Sequence, residues 1–253
     1  MKNKIPITVI SRLRNESLIL PDYLNHIDKF GDEFYFFDDA STDDSVKIME
    51  SHPKTVKVIR NYFHNPNQTL VQTAQRKCLL DYARSHSKNK WFALVEPDER
   101  VMFDFSLLEK WDKAGVDIIY FTLFDAYITS RNKKEYKQGD KLENLRKYFG
   151  PEYRFFCFLF KKDFADYDLK IPACRQPNVR GKGEIGGRIK HYGKCISIEQ
   201  WEETCRYYMK SVPQLAEKWE KRLGKAIHTK SDFDRELLTW DEIVSGKKTL
   251  TKI

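Results

Sequence analysis

The chain reads as an α/β protein, a mainly parallel sheet flanked by helices with a helical extension at its C-terminus. Three observations predict this. Runs rich in β-branched and aromatic residues alternate with helix-like stretches throughout the first half. Of the 253 residues, 41% are hydrophobic and 14% aromatic, enough to fill a sizeable core without metals or disulfides. Several of the apolar runs also stop abruptly at clusters of charge, as strands do when they end at a polar rim.

Taken in order, strands are expected over 5–13, 33–37, 56–60, 91–95 and 117–123, with helices over 18–30, 45–51, 69–86 and 105–114 between them. From 128 to 149 the composition turns polar and basic, as in a surface excursion. A strand is expected over 153–160 and a short one over 185–192. After Ser197, the spacing of Trp201, Cys205, Tyr208 and Met209 predicts a helix, and Pro213 restarts one through Trp219 and Leu223. The aromatic stripe on the first of these is most economically read as core packing. The organisation expected is a catalytic domain over 1–205 and an extension over 206–253, its end weakly patterned.

The charged fraction is 32%, and no apolar run approaches membrane-spanning length. Met1-Lys2-Asn3-Lys4 leads into an apolar stretch soon broken by Arg12 and Arg14, which does not read as a secretory signal, so a cytoplasmic location is expected. Five cysteines lie scattered with no Cys-x-x-Cys pair, pointing to reduced thiols rather than a disulfide framework or a zinc site. The net charge of +8 implies an anionic partner: nucleic acid, a membrane surface or a phosphorylated substrate.

In open parallel sheets ligands bind beyond the carboxyl ends of the strands. Three clusters sit there: Arg12-Leu13-Arg14-Asn15-Glu16, then Asp38-Asp39-Ala40-Ser41-Thr42-Asp43-Asp44, then Glu96-Pro97-Asp98-Glu99-Arg100. The plainer reading of the second is a helix cap supplied by Ser41, Thr42 or Asp43. That leaves Asp38 and Asp39 directly after an aromatic strand, where unpaired charge is costly to bury without a ligand. The plainer reading of the third is a surface turn capping the next helix. Its functional reading is a pair of carboxylates meeting one hard cation across a proline-stiffened turn.

These motifs in this order, with His191-Tyr192-Gly193 late in the chain, resemble the family-2-type glycosyltransferases of the GT-A fold, a Rossmann-like sheet, over about residues 5–210. The resemblance implies a nucleotide-diphosphate sugar donor, in particular a UDP-sugar, and a divalent metal, Mn2+ or Mg2+, at the diphosphate. It places Asp39 and Glu16 on the nucleoside and Asp98 on the metal, with Leu13, Arg14, Asp38 and Glu96 lining the donor site. The family usually has aspartate where this chain has Glu96, which puts direct coordination by Glu96 in doubt. His191 resembles the late histidine that completes the metal or diphosphate site in some of these enzymes; its plainer reading is structural.

Gln72 and Arg76, one helical turn apart, are further donor-site candidates, against the plainer reading of a solvated helix face. The stretch 175–194 carries six basic residues and four glycines and reads as a mobile lid over the diphosphate, or simply as a mobile loop. The resemblance implies single displacement with inversion, in which a carboxylate takes the acceptor's proton; Glu184 and Asp125 are the candidates. The acceptor expected by analogy is a glycan or glycolipid, as in lipopolysaccharide assembly, with peripheral contact at the inner face of a membrane and no nucleic-acid partner.

Nucleotidyl transfer to sugar phosphates ranks second, because it favours a glycine-rich phosphate loop after the first strand and none is present. A haloacid-type phosphatase lacks its second aspartate after Asp38 or Asp39. A basic nucleic-acid-binding domain sits poorly with the acidic clusters.

Overall fold

The structure, a computed structural model, describes residues 5–253, apart from the side chains of Thr69, Leu70 and Pro213. The reading of the first four residues lies outside it. The chain divides into two compact units. The first holds the chain through Pro97 with Phe103–Phe121 and Phe156–Gly187; the second holds Asp98–Met102, Thr122–Phe155 and Arg188–Ile253.

The first unit is built on β1 (Ile7–Leu13), α1 (Leu20–Ile27), β2 (Glu33–Asp39), α2 (Ser45–Ser51), β3 (Thr55–Asn61), α3 (Gln68–His86) and β4 (Trp91–Leu94). Strands β3-β2-β1-β4 run parallel in that order, as βαβ crossovers require. Both faces of a parallel sheet are covered at its centre, so the central strands are buried at every position: all seven residues of β1, with Thr8, Ser11 and Arg12 among them, and all four of the apolar β4. Helix α1 supplies a matching face with Leu20, Tyr23, Leu24 and Ile27 buried, and the Tyr23 hydroxyl donates to the Val95 carbonyl.

Further along the chain come β5 (Glu99–Met102), α4 (Leu108–Lys113), β6 (Ile118–Tyr127), α5 (Leu142–Leu145), β7 (Tyr148–Lys161), β8 (Ala165–Asp166), β9 (Asn178–Val179) and β10 (Gly183–His191). In the first unit the end of β7 pairs antiparallel with β4, Trp91 opposite Lys161. The mainly parallel α/β class expected from the sequence is thus observed, with antiparallel strands extending it.

Two expectations are corrected here. The residues after Asp98 do not cap a helix; Glu99–Met102 is a strand, too short to read from periodicity. The short strand expected over 185–192 is observed as the nine-residue Gly183–His191, so that part of the glycine-rich segment is not a mobile loop or lid. A Cβ on Gly186 would stand 2.4 Å from Ile119 Cγ2 and 2.7 Å from the Trp111 ring, so this glycine serves close packing rather than flexibility.

In the second unit β10 pairs antiparallel with β5, Arg188 opposite Met102 and His191 opposite Glu99. Arg146, fully buried within the segment expected to be surface, donates to the carbonyls of Asn132, Lys134, Cys195 and Ile196. Helices α6 (Ile198–Ser211) and α7 (Ala216–Glu220) follow, then β11 (Leu238–Thr239), α8 (Trp240–Ser245) and β12 (Thr251–Lys252). Trp201 and Cys205 are buried as the spacing predicts, and Tyr208 stacks on Trp219 at 4.6 Å. The residues read as weakly patterned are ordered: β11 and β12 pair with β7, and Thr239 and Glu242 form a capping box on α8.

Candidate functional site

In the first unit, the loops after β1 and β2 are fastened to each other by their own motif residues. Asn15 N donates to Ser41 Oγ at 2.9 Å, Thr42 N to Asn15 Oδ1 at 2.8 Å, Glu16 N to Ser45 Oγ at 2.8 Å and Ser17 N to Asp43 Oδ2 at 3.0 Å. Asn15 and Ala40 both adopt positive φ, 54° and 57°, a conformation that costs a non-glycine residue free energy and is held here by those bonds. Asp38 is buried and accepts from Ser41 N at 3.2 Å, closing the turn. Asp43 takes the capping role, accepting from Ser45 N at 3.0 Å.

Asp39 lies at the centre of a buried polar cluster and is 0% exposed. Its Oδ2 receives Arg12 at 2.8 Å, Gln68 at 3.2 Å and His64 Nδ1 at 3.0 Å; its Oδ1 receives Gln75 at 2.7 Å and Asn61 at 3.2 Å. Burial alone would raise its pKa, but the Arg12 guanidinium and these hydrogen bonds hold the carboxyl below its ordinary range. The premise that Asp39 is an unpaired charge is therefore overturned: the protein itself pairs it, and five contacts saturate its lone pairs.

Sequence reading missed Asn61, His64, Gln68 and Gln75, and placed Arg12 in the first cluster without its partner Asp39. Gln68, Gln72 and Gln75 stand at spacings of four and three on α3, a polar stripe that the helix places on one face.

Arg14 stands apart from this network. It is half-buried, and its Nε is buried with no hydrogen-bond partner. Leu13 is buried at 3%, so only its backbone is available to a ligand. Glu16 is half-buried. Arg76 is buried and pairs with Glu96 at 2.9 Å, while Gln72 bridges Gln68 and Arg76 at 3.4 and 3.5 Å. Glu96, the first acid of the acid-x-acid triplet, is thus neutralised by an arginine. Glu184 is exposed on β10, and no hydrogen bond or ion pair among the described residues engages its carboxylate.

In the second unit, the register of β10 on β5 and the bond from Tyr192 N to the Asp98 carbonyl at 2.8 Å set His191 beside Asp98. His191 Nε2 lies 3.2 Å from Asp98 Oδ2, and its Nδ1 lies 2.6 Å from Asp125 Oδ1. Burial alone would lower the imidazole pKa, but the two carboxylates hold it up to about 9.

Asp125 also takes both guanidinium nitrogens of Arg154, at 3.0 and 3.1 Å, and Lys194 at 3.0 Å. Despite its burial, Lys194 and His191 hold its carboxyl well below the usual range. Lys194 reaches Asp232 at 2.6 Å, which Arg222 also meets at 2.6 Å. Arg154, Asp232 and Arg222 were not anticipated, since their partners come from distant parts of the chain, and Lys194, read as one of the basic residues of the lid, is paired with Asp125 and Asp232 instead.

Gly193 lies against the Asp98–His191 pair: a Cβ there would stand 2.4 Å from Asp98 Oδ2 and 3.0 Å from His191 Nε2. Glycine leaves that edge of the pair open. A carboxylate oxygen and an imidazole nitrogen this close form a donor pair suited to a divalent cation. Among the described residues no group of three His, Cys, Asp or Glu side chains gathers to hold a metal, so other ligands would come from substrate and water.

Residues 8–169 match the sequence model described as Glycosyl transferase family 2. Two curated proteins, the uncharacterized Mb3815c of Mycobacterium bovis and the uncharacterized Rv3786c of Mycobacterium tuberculosis, are each 27% identical to this chain over 114 residues, 45% of it. The chain spans 28% of the length of each. Among solved structures, TarS 1-349 of S. aureus in complex with UDP is 14% identical at a TM-score of 0.45, the match covering 80% of this chain and 64% of that one. TarS 1-349 alone is 12% identical at a TM-score of 0.44, covering 84% and 68%.

Proposed function

The chain belongs to glycosyl transferase family 2, and on that premise we propose that it transfers a sugar from a UDP-sugar to a glycan or glycolipid acceptor, with inversion and with a divalent metal. The observation that carries the metal-dependent part is the Asp98–His191 pair, its two donor atoms 3.2 Å apart under a glycine whose replacement would crowd both.

In this reading Asp98 and His191 hold Mn2+ or Mg2+. Bound there, the metal supplies positive charge to the diphosphate leaving group. The acceptor hydroxyl oxygen bonds to the anomeric carbon as the bond from that carbon to the diphosphate oxygen breaks, and the diphosphate leaves with the electron pair. A carboxylate takes the hydroxyl proton, and Glu184, whose carboxylate no described residue engages, is assigned that role.

Arg14, whose buried Nε has no hydrogen-bond partner among the described residues, offers a cation to the donor. Asp39 acts on the nucleoside by fixing Arg12, His64, Gln68 and Gln75 around it, and Glu16, Asp38 and the Leu13 backbone complete that wall. Arg76, itself bonded to Gln72, holds Glu96, which is assigned to the donor site rather than to the metal.

No helix among the described residues is long and apolar enough to cross a membrane. Contact with an anionic inner membrane face is part of the proposal, supported by the net charge of +8.

The test is calorimetry and UDP-release measurement with a panel of UDP-sugars, with and without Mn2+. The reading expects UDP binding that tightens with Mn2+ and slow donor hydrolysis that Asp98→Asn abolishes. If no UDP-sugar binds or turns over under either condition, the reading fails. Turnover unchanged in Asp98→Asn removes the metal from it.

A further inference from the structure

Asp125 was one of two carboxylates put forward as the base, yet its surroundings suit a different task. We infer that Asp125 is a positioning residue: it holds the Nδ1 proton of His191 and so turns Nε2 toward Asp98 for the metal. The inference rests on the proposed metal role of Asp98 and His191.

Four contacts immobilise the Asp125 carboxylate. Oδ1 meets His191 Nδ1 at 2.6 Å and Arg154 at 3.0 Å; Oδ2 meets Lys194 at 3.0 Å and the other Arg154 nitrogen at 3.1 Å. Arg154 grips it bidentately, which fixes its plane as well as its place. A base must collect a proton from an incoming hydroxyl, and a carboxylate whose lone pairs are already engaged by two cations and an imidazole has none to offer.

The same geometry is what a ligating histidine needs. An imidazole binds a metal through one nitrogen, and the partner of the other nitrogen decides which. Here the nitrogen opposite Asp125 is the one facing Asp98 Oδ2 at 3.2 Å. The support continues outward: Lys194 also contacts Asp232 at 2.6 Å, and Arg222 contacts the same Asp232 oxygen at 2.6 Å. Residues of the C-terminal extension thereby brace the carboxylate that orients the histidine.

The experiment is Mn2+ titration in the presence of UDP, followed by electron paramagnetic resonance, on the wild type, Asp125→Asn, His191→Gln and the double variant, with thermal melts alongside. Loss of an outer-sphere partner of this kind weakens metal binding roughly 10- to 100-fold. That loss is expected for Asp125→Asn with cooperative melting retained. Because the effect acts through His191, adding Asp125→Asn to His191→Gln is expected to cost little more. Unchanged Mn2+ affinity in Asp125→Asn together with a collapse of kcat makes Asp125 the base and overturns the inference. Additive losses in the double variant overturn it as well.

Nitrogen-15 spectra of the wild type loaded with Mg2+ and UDP decide the matter even if Asp125→Asn does not fold: the proton is expected on Nδ1 of His191, and a proton on Nε2 rules the inference out. A wild type that binds neither Mn2+ nor Mg2+ fails the underlying metal reading and takes the inference with it. Failure in the variant alone bears only on Asp125.

Discussion

Arg12 meets Asp39 at 2.8 Å with the arginine 9% exposed and the aspartate not exposed at all. A pair this deep is weak grounds for net stability, since both charges were desolvated to make it. Removing one partner strands the other. Arg12→Met is expected to destabilise the protein by about 3–5 kcal/mol, read as a fall in the urea midpoint. Asp39→Asn keeps several of the hydrogen bonds but still strands the Arg12 charge. A loss under ~1 kcal/mol in Arg12→Met would mean the pair is solvated and not buried.

Two groups give stability opposite pH dependences in the metal-free protein. Asp39 is held below its ordinary 3.8, so folding favours its charged form; that contribution is present above 3.8 and is lost as the pH falls through the folded value. His191 is held up from 6.5 to about 9, so its contribution is complete below pH 6.5 and is lost as the pH rises through 9. Melting temperature against pH should therefore fall on both limbs. Asp39→Asn should flatten the acid limb and His191→Gln the alkaline one; a variant profile parallel to the wild type on its own limb would refute that assignment.

Arg14 has a buried Nε that meets no hydrogen-bond partner among the described residues, so its removal should touch binding and not folding. Surface-type substitutions without partners stay within about 0.5 kcal/mol. Arg14→Ala is expected to leave the melt nearly unchanged while weakening UDP binding on the order of tenfold, since a charge-assisted hydrogen bond contributes about 1.5–3 kcal/mol. Equal UDP affinity in the variant would take Arg14 out of the donor site.

Gly186→Ala tests whether the glycine-rich segment is a packed strand. The added methyl meets Ile119 Cγ2 at 2.4 Å and the Trp111 ring at 2.7 Å, the first fully buried and the second half-buried, with limited room to move. Overpacking of this kind costs about 1–3 kcal/mol. A neutral substitution by chemical denaturation would restore the picture of a mobile lid.

The sequence by itself determined the α/β class, the order of the first strands and helices, and which loops carry the acidic motifs. Those features are local: strand and helix periods are written in consecutive residues, and a parallel strand buried on both faces must be apolar along its length. The aromatic spacing that buries Trp201 and Cys205 was legible for the same reason. Only the tertiary structure decided what each motif residue touches.

Asp39 looked like an unpaired charge awaiting a ligand because Arg12 and Gln75, which pair with it, are 27 and 36 positions away in the chain. Gly186 looked flexible because Trp111 and Ile119, which leave no room for a side chain, come from other elements. Asp125 looked like a base because nothing near it in sequence announces Arg154, His191 and Lys194. The pairing of charges and the filling of space are set by long-range approach, and a linear pattern records which groups need partners but not which partners they find.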